Sequence, residues 1–303
     1  MNKVALVTDE TSLPNDYDMA LLLEACAASG LTAEVRDWED PTTDWSAYEA
    51  VLLRSPWTYV DRLPAFLAWC ERVAVVTELH NPLPVVRWSL NKSYMADLAV
   101  LGVPVVPSTI VSPDTDPAVA VQQFLAGHPE AKEIVVKPTV GAYSKDVQRF
   151  VRSMEADAAA HVARMRSDGF AALLQPYVES VDRDGETDLV YFDGVYSHAI
   201  RKSAMLMSDG TVKVPTFESR TAREADADER AVASAALAAA GAHLMLERPL
   251  VYARVDVIRS ASGAPVVLEL ELCEPSLNLS FTDHGATRLA ETVAARLKVR
   301  ARR

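Results

Sequence analysis

Along the first 87 residues, short unbroken apolar runs alternate with stretches whose apolar positions recur at helical spacing. The runs at 4–8, 31–36 and 50–54 read as buried strands. Residues 18–29 and 63–72 read as helices, the first closed by Gly30. That β-α-β-β-α order predicts an α/β chain opening with a small, parallel, doubly wound sheet. No Gly-x-Gly-x-x-Gly turn follows the first strand, so no dinucleotide is expected there. Further on, the pattern predicts a helix over 88–101, an extended proline-punctuated stretch over 103–110 and a helix over 114–127. A strand at 133–137, a loop at 138–145, a strand at 146–151, a helix at 154–166 and a strand at 171–174 follow. Residues 186–201 read as two strands about the turn Asp193-Gly194. An alanine-rich helix is expected over 221–240, strands over 250–258 and 264–272, and a last helix over 282–299.

Alternation in the last two strands carries the first chemistry. Side chains two apart in a strand share a face, so Glu269 and Glu271 point the same way. The gap at 260–263 reads as a hairpin turn, which brings Asp256 alongside them. Three converging carboxylates repel one another unless a cation lies between them. All-oxygen ligation favours a hard ion such as magnesium, whose shell is commonly completed by substrate phosphates. A nucleotide site is therefore expected.

Two strand ends fit that expectation. Val135-Val136-Lys137-Pro138 ends a strand with a lysine able to reach phosphates, and the loop from Gly141 to Ser144 can offer backbone N–H groups. Gln175-Pro176-Tyr177-Val178 leaves another strand as an extended edge of the kind that pairs with adenine. In a doubly wound sheet, ligands collect beyond the carboxyl ends of the strands. Those ends carry Asn15 and Asp16 after the first strand, and Arg54 and Ser55 at the third.

Bulk properties narrow the class. The net charge of −12 over 303 residues argues against a protein that grips nucleic acid through its phosphates. No apolar run approaches about 18 residues, so no membrane span is expected. Three widely spaced cysteines fit a reducing cytoplasm and no thiolate metal site. The basic ending over 296–303 closes a helical pattern, where cations suit the helix dipole. Whether the chain forms a homo-oligomer is left open by the pattern.

In order along the chain stand Lys92, Val136-Lys137-Pro138 with the loop over 141–144, Gln175 to Val178, Arg254-Val255-Asp256 and Glu269-Leu270-Glu271. In that order and spacing, across about 88–280, the chain resembles the ATP-grasp superfamily of carboxylate–amine ligases. Leu53-Arg54-Ser55, Val86-Arg87-Trp88, the segments 190–194 and 197–202, and 269–276 resemble its glutathione-synthetase-like branch. The opening segment 9–18 is similar to that of cyclo-ligases that close O-ureido-D-serine into D-cycloserine.

The resemblance implies an ATP-grasp fold of three units. These are an α/β substrate-side domain over 1–87, a central subdomain over 88–177, and a C-terminal subdomain with the metal site over 178–303. It implies that Lys92 and Lys137 hold the ATP phosphates with Gly141 and Ser144, and that Gln175, Pro176, Tyr177 and Val178 take adenine. Glu186 is implied at the ribose, and Arg201 or Lys202 at the γ-phosphate. Asp256, Glu269 and Glu271 would bind one or two Mg2+ ions, and Arg254 would stabilise an acyl phosphate. Asn15, Asp16, Arg54, Ser55, Ser276 and Asn278 would contact a small amino-acid-like substrate. The implied reaction is ATP-dependent activation of a carboxylate and attack by nitrogen, with ring closure releasing ADP, phosphate, carbon dioxide and ammonia. The alternatives are a ligase joining an amino acid to a separate amine, and an ATP-sensing binding protein. The chain departs from the family pattern in two places. Glu271 stands where asparagine is usual, and Ser144-Lys145-Asp146 replaces a second glycine of the phosphate loop, which brings Lys145 forward as a phosphate contact.

Overall fold

The computed structural model describes residues 2–142, 144–207, 211–212 and 219–300. Tyr143 of the expected phosphate loop, and Ala301, Arg302 and Arg303 of the basic ending, lie outside the described residues.

The chain opens with β1 (Asn2–Thr8), α1 (Met19–Ala28), β2 (Leu31–Asp37), β3 (Ala50–Ser55), α2 (Leu63–Val76) and β4 (Glu78–His80). The four strands form a parallel sheet in the order β2-β1-β3-β4. Its strands read as unbroken apolar runs because both faces are covered. Val4 and Leu6 pack on one side against Leu22 and Cys26 of α1, while Ala5 and Val7 pack on the other with Phe66, Trp69 and Val73 of α2. β4 escaped the sequence pattern because it is three residues long and two of them are polar.

Next come α3 (Leu83–Ser89) and α4 (Tyr94–Val100), where one helix over 88–101 was expected. The break falls at Lys92, whose backbone N–H donates to the Thr139 carbonyl at 2.7 Å instead of continuing a helix. A second sheet of β5 (Thr109–Ile110), β6 (Glu133–Pro138), β7 (Gln148–Val151) and β8 (Ala172–Pro176) is antiparallel in the order β5-β8-β6-β7. It carries α5 (Pro117–Gly127) and α6 (Glu155–Ser167) on one side, around Phe124, Ile134, Val162 and Leu174.

The short α7 (Ser180–Asp184) leads into β9 (Glu186–Phe192), β10 (Val195–Lys202), β11 (Arg220–Arg223), α8 (Ala227–His243), β12 (Tyr252–Arg259) and β13 (Pro265–Glu271). These strands make an antiparallel sheet in the order β11-β10-β9-β12-β13. Residues 220–223, whose latter part was expected as helix, form its edge strand against β10. The helix begins later, where Asp226 and Glu229 make a capping box. One face of this sheet packs Leu189, Tyr191, Val255, Val257 and Leu270 against the small residues Ala233, Ala236 and Ala240 of α8. The last helix, α9 (Gly285–Arg300), crosses back to α1, so Leu289, Val293 and Leu297 share a core with Val4 and Leu6. Among the described residues no helix is long and apolar enough to cross a membrane.

Candidate active site

The face of the five-stranded sheet turned away from α8 is polar for a simple reason of register. Antiparallel pairing sets Arg254 opposite Glu271 and Asp256 opposite Glu269, and on the other flank sets Asp188 opposite Asp256. Lys202 pairs with Glu186, and Arg220 pairs with Lys202. Strand alternation then turns all of these side chains to one side. They floor a cavity of about 240 Å³ whose opposite wall comes from Lys92, Lys137, the loop at Gly141 and Ser144, and the edge from Gln175 to Val178.

Charge inside the cavity is tightly paired. Arg254 grips Asp256 with two bonds of 2.8 Å, reaches Glu271 at 2.7 Å, and donates to the Ser276 carbonyl at 3.0 Å. Burial works against its charge, but Asp256, Glu271 and Asp188 more than offset that and hold its pKa well above the usual value. Lys137 meets Glu269 at 2.7 Å and Lys92 lies 3.9 Å from the same carboxylate. Burial alone would raise the Glu269 pKa, yet the two lysines hold it well below the carboxylate range. Burial pushes Glu186 up to about 7 even with Lys202 at 2.7 Å, and pushes Glu271 up to about 7 against the pull of Arg254. Lys202, although buried, is kept protonated by Asp188, Glu186 and Asp256.

The donor set fits a hard cation. Glu186, Asp188 and Asp256 form one group of carboxylates, and Asp256, Glu269 and Glu271 a second, each offering oxygens within 4.8 Å of one another. One Asp188 oxygen is buried with no hydrogen-bond partner among the described residues, Lys202 standing 3.8 Å from it, which leaves room for a closer cation or donor.

Of the residues named from sequence, Ser276, Glu186, Lys202 and the sets expected for phosphate, adenine and metal all line the cavity. The Gln175 side chain turns out to Ser108 at 2.8 Å. Ser144 and Asp146 take left-handed backbone conformations (φ 54° and 58°), the region where the family's glycine would sit without strain. Lys145 reaches Asp61 at 2.5 Å. Six expected residues are not among those lining the cavity: Asn15, Asp16, Arg54, Ser55, Arg201 and Asn278. Alternation along β10 sends Lys202 inward and Arg201 outward, where it donates to the carbonyls of Arg183 and Asp184. Asn15 is exposed, and Asp16 accepts from the Asp18 N–H at 3.0 Å. Arg54 is 1% exposed and donates to the Pro275 carbonyl at 2.9 Å, while Ser55 bonds to Thr8 at 2.8 Å. Asn278 donates its backbone N–H to Asp18 at 2.9 Å.

Sequence reasoning missed Asp188, Arg220 and Asp18. Asp188 lies two residues after Glu186 on the same strand, so the alternation already read for Glu269 and Glu271 would have found it. Arg220 was hidden by the helical reading of the residues that follow it.

Residues 4–81 match the family model for the N-terminal domain of D-cycloserine synthetase DcsG. Over 298 residues the chain is 63% identical to the cycloserine biosynthesis protein DcsG of Streptomyces lavendulae, covering 98% of this chain and 100% of that relative. The crystal structure of D-cycloserine synthetase DcsG matches with a TM-score of 0.95 at 62% identity, over 98% of this chain and 100% of that one. The fold is shared more distantly by the ATP-grasp ligase PsnB, solved with a precursor peptide and AMPPNP. It matches with a TM-score of 0.62 at 18% identity, over 99% of this chain and 98% of that one. PsnB has also been solved with Mg and ADP.

Proposed function

The chain belongs to the D-cycloserine synthetase DcsG family of ATP-grasp ligases, and from that membership we propose that it closes O-ureido-D-serine into D-cycloserine with consumption of ATP. The observation that carries this reading is one sheet face on which Arg254 lies between Asp256 and Glu271, with Lys137 and Lys92 bearing on it from across the cavity. The units 1–87, 88–177 and 178–303 are read as the substrate side and the two halves of the nucleotide clasp.

Lys92, Lys137 and Lys202 hold the ATP phosphates, with backbone N–H groups about Gly141 and Ser144. The edge from Gln175 to Val178 takes adenine, and Glu186 takes the ribose. Asp256, Glu269 and Glu271 would hold one or two Mg2+ ions, which when bound neutralise phosphate charge and orient the transferred group.

The substrate carboxylate attacks the γ-phosphorus, the bond to the ADP oxygen breaks, and an acyl phosphate forms. The ureido nitrogen bonded to oxygen then attacks the acyl carbon. Negative charge gathers on the carbonyl oxygen, where a buried, fully ionised Arg254 is worth most. The bond to phosphate breaks, the nitrogen loses its proton to the departing phosphate, and the ring is closed. Water then removes the carbamoyl group as carbon dioxide and ammonia. Nucleophile and electrophile belong to one molecule, so holding its two ends supplies the proximity advantage.

Incubation of the purified chain with ATP, magnesium and O-ureido-D-serine should give ADP and D-cycloserine in equal amounts. Release of ADP without cyclic product would sink ring closure, and product only with an added amine would establish the intermolecular ligase instead.

A further inference from the structure

Six cationic side chains line the cavity: Lys92, Lys137, Lys145, Lys202, Arg220 and Arg254. Five are committed to carboxylates. Lys92 and Lys137 meet Glu269, Lys145 meets Asp61, Lys202 meets Glu186, and Arg254 meets Asp256 and Glu271. The guanidinium of Arg220 has neither an ion pair nor a hydrogen bond among the described residues, and its Nε is buried without a partner. A half-buried cation in the cavity, without an ion pair or hydrogen bond among the described residues, is placed to take an anion.

Its position says which anion. Arg220 sits on the edge strand β11, fixed by backbone pairing opposite Lys202. The two lysines that meet Glu269 lie over β13, four strand spacings away in the order β11-β10-β9-β12-β13, or roughly 19 Å of sheet. The charges acting on Arg220 are those of Arg254 and Asp188 on the same face, and Asp18 and Tyr17 at the end of the segment after β1. Arg220 therefore borders the reaction centre from the side opposite the Lys92–Lys137 pair. A guanidinium forks naturally onto the two oxygens of a carboxylate or onto phosphate oxygens. The substrate of the ring closure proposed above carries one anionic group, its reacting carboxylate; the amino group is cationic and the ureido group neutral.

We propose that Arg220 binds the carboxylate of the amino-acid substrate and then the acyl phosphate made from it, as a catalytic residue acting opposite Arg254. This rests on the ring-closing reading.

The test compares wild type, Arg220→Met and Arg220→Lys with O-ureido-D-serine as substrate and its neutral carboxamide as a competitive ligand. Arg220→Met should raise the KM for O-ureido-D-serine roughly 10- to 100-fold, the loss expected for one charge-assisted hydrogen bond. The KM for ATP should rise much less than the KM for O-ureido-D-serine, since Lys92 and Lys137 lie four strands away and Lys202, although the neighbour of Arg220, keeps its own charge. The inhibition constant of the carboxamide should not change, and Arg220→Lys should recover part of the loss. Equal weakening of substrate and carboxamide, or an unchanged substrate KM in Arg220→Met, would overturn the inference while the function stands. A wild type that forms no D-cycloserine would overturn the ring-closing reading and this inference with it.

Discussion

Glu271 shows how much a single buried carboxylate can report. It shares Arg254 with Asp256, and burial still pushes its pKa up to about 7, as it does for Glu186. Glu269, two residues earlier, is held low by two lysines. The sign of the consequence follows from linkage. Glu186 and Glu271 bind their protons more tightly folded than unfolded between 4.5 and about 7, so the stability they contribute is complete below 4.5 and is lost as pH rises through 7. Magnesium needs the ionised form of Glu271, the one of the two assigned to the metal, so its binding should gain over the same window. The rise in Tm produced by magnesium should therefore grow between about pH 6 and pH 8, with its midpoint where Glu271 titrates, at about 7. Glu271→Asn, which places there the asparagine expected from the ATP-grasp resemblance, should keep activity, flatten this pH dependence and move the magnesium titration. Complete loss of activity in a folded variant, or an unmoved titration, would contradict the role given to Glu271.

The element that follows β13 is held from the far end of the chain. Asp18, 3% exposed, accepts from the backbone N–H groups of Leu277, Asn278 and Leu279 at 2.7, 2.9 and 2.7 Å. Arg54 and Trp57 reach the carbonyls of Pro275 and Glu274 at 2.9 and 3.0 Å. Within this segment the Ser276 carbonyl receives Arg254. A side-chain amide in place of this carboxylate cannot accept at both ends, so Asp18→Asn should lower stability by about 2 kcal/mol and lower kcat through Arg254. The KM for ATP should change less than kcat, because the hydrogen bonds of Asp18 go to Leu277, Asn278 and Leu279 and to none of the residues assigned to the nucleotide. Thermal unfolding and steady-state kinetics check both, and a variant equal to wild type in Tm and kcat would count against this anchor. The same contacts explain what was legible in the sequence and what was not. Alternation and one turn were enough to set Asp256 beside Glu269 and to collect the metal-type carboxylates. Arg54 looked like a substrate residue because its polarity and position are visible in sequence, whereas its bond to Pro275, 221 residues away, is not. The break at Lys92 and the late start of α8 were hidden for the same reason. Each depends on a backbone partner distant in sequence, Thr139 just past β6 in the first case and β10 in the second, that local propensity does not see.

At the scale of the molecule, the expected division at residue 87 cuts across a shared core. Val4, Leu6 and Leu52 of the first sheet pack with Val190, Phe192 and Tyr252 of the third and with Leu289, Val293 and Leu297 of α9. Polar groups bolt the same junction. The Tyr252 hydroxyl lies 3.0, 2.8 and 2.9 Å from the carbonyls of Leu53, His80 and Cys273. The Asn81 amide donates to the carbonyls of Tyr252 and Leu272, both at 2.8 Å, and accepts from Val251 N–H at 2.9 Å. The second sheet instead encloses its own core between its strands and α5 and α6. Cooperative units follow shared cores rather than sequence intervals. The first and third sheets should therefore open as one unit, and the second as another. Native-state hydrogen exchange tests this directly. Amides of β1, β9 and β12 should share a single opening free energy, and those of β6 and β8 a different, lower one. Adding ATP with magnesium should raise the second toward the first, because Lys137 at the end of β6 and the edge from Gln175 to Val178 would then be tied through the nucleotide to Asp256 and Glu269 on the other side of the cavity. If β1 opens at a distinctly lower free energy than β12, the shared core is not the cooperative unit, and residues 1–87 behave as the separate domain that the strand pattern alone predicts.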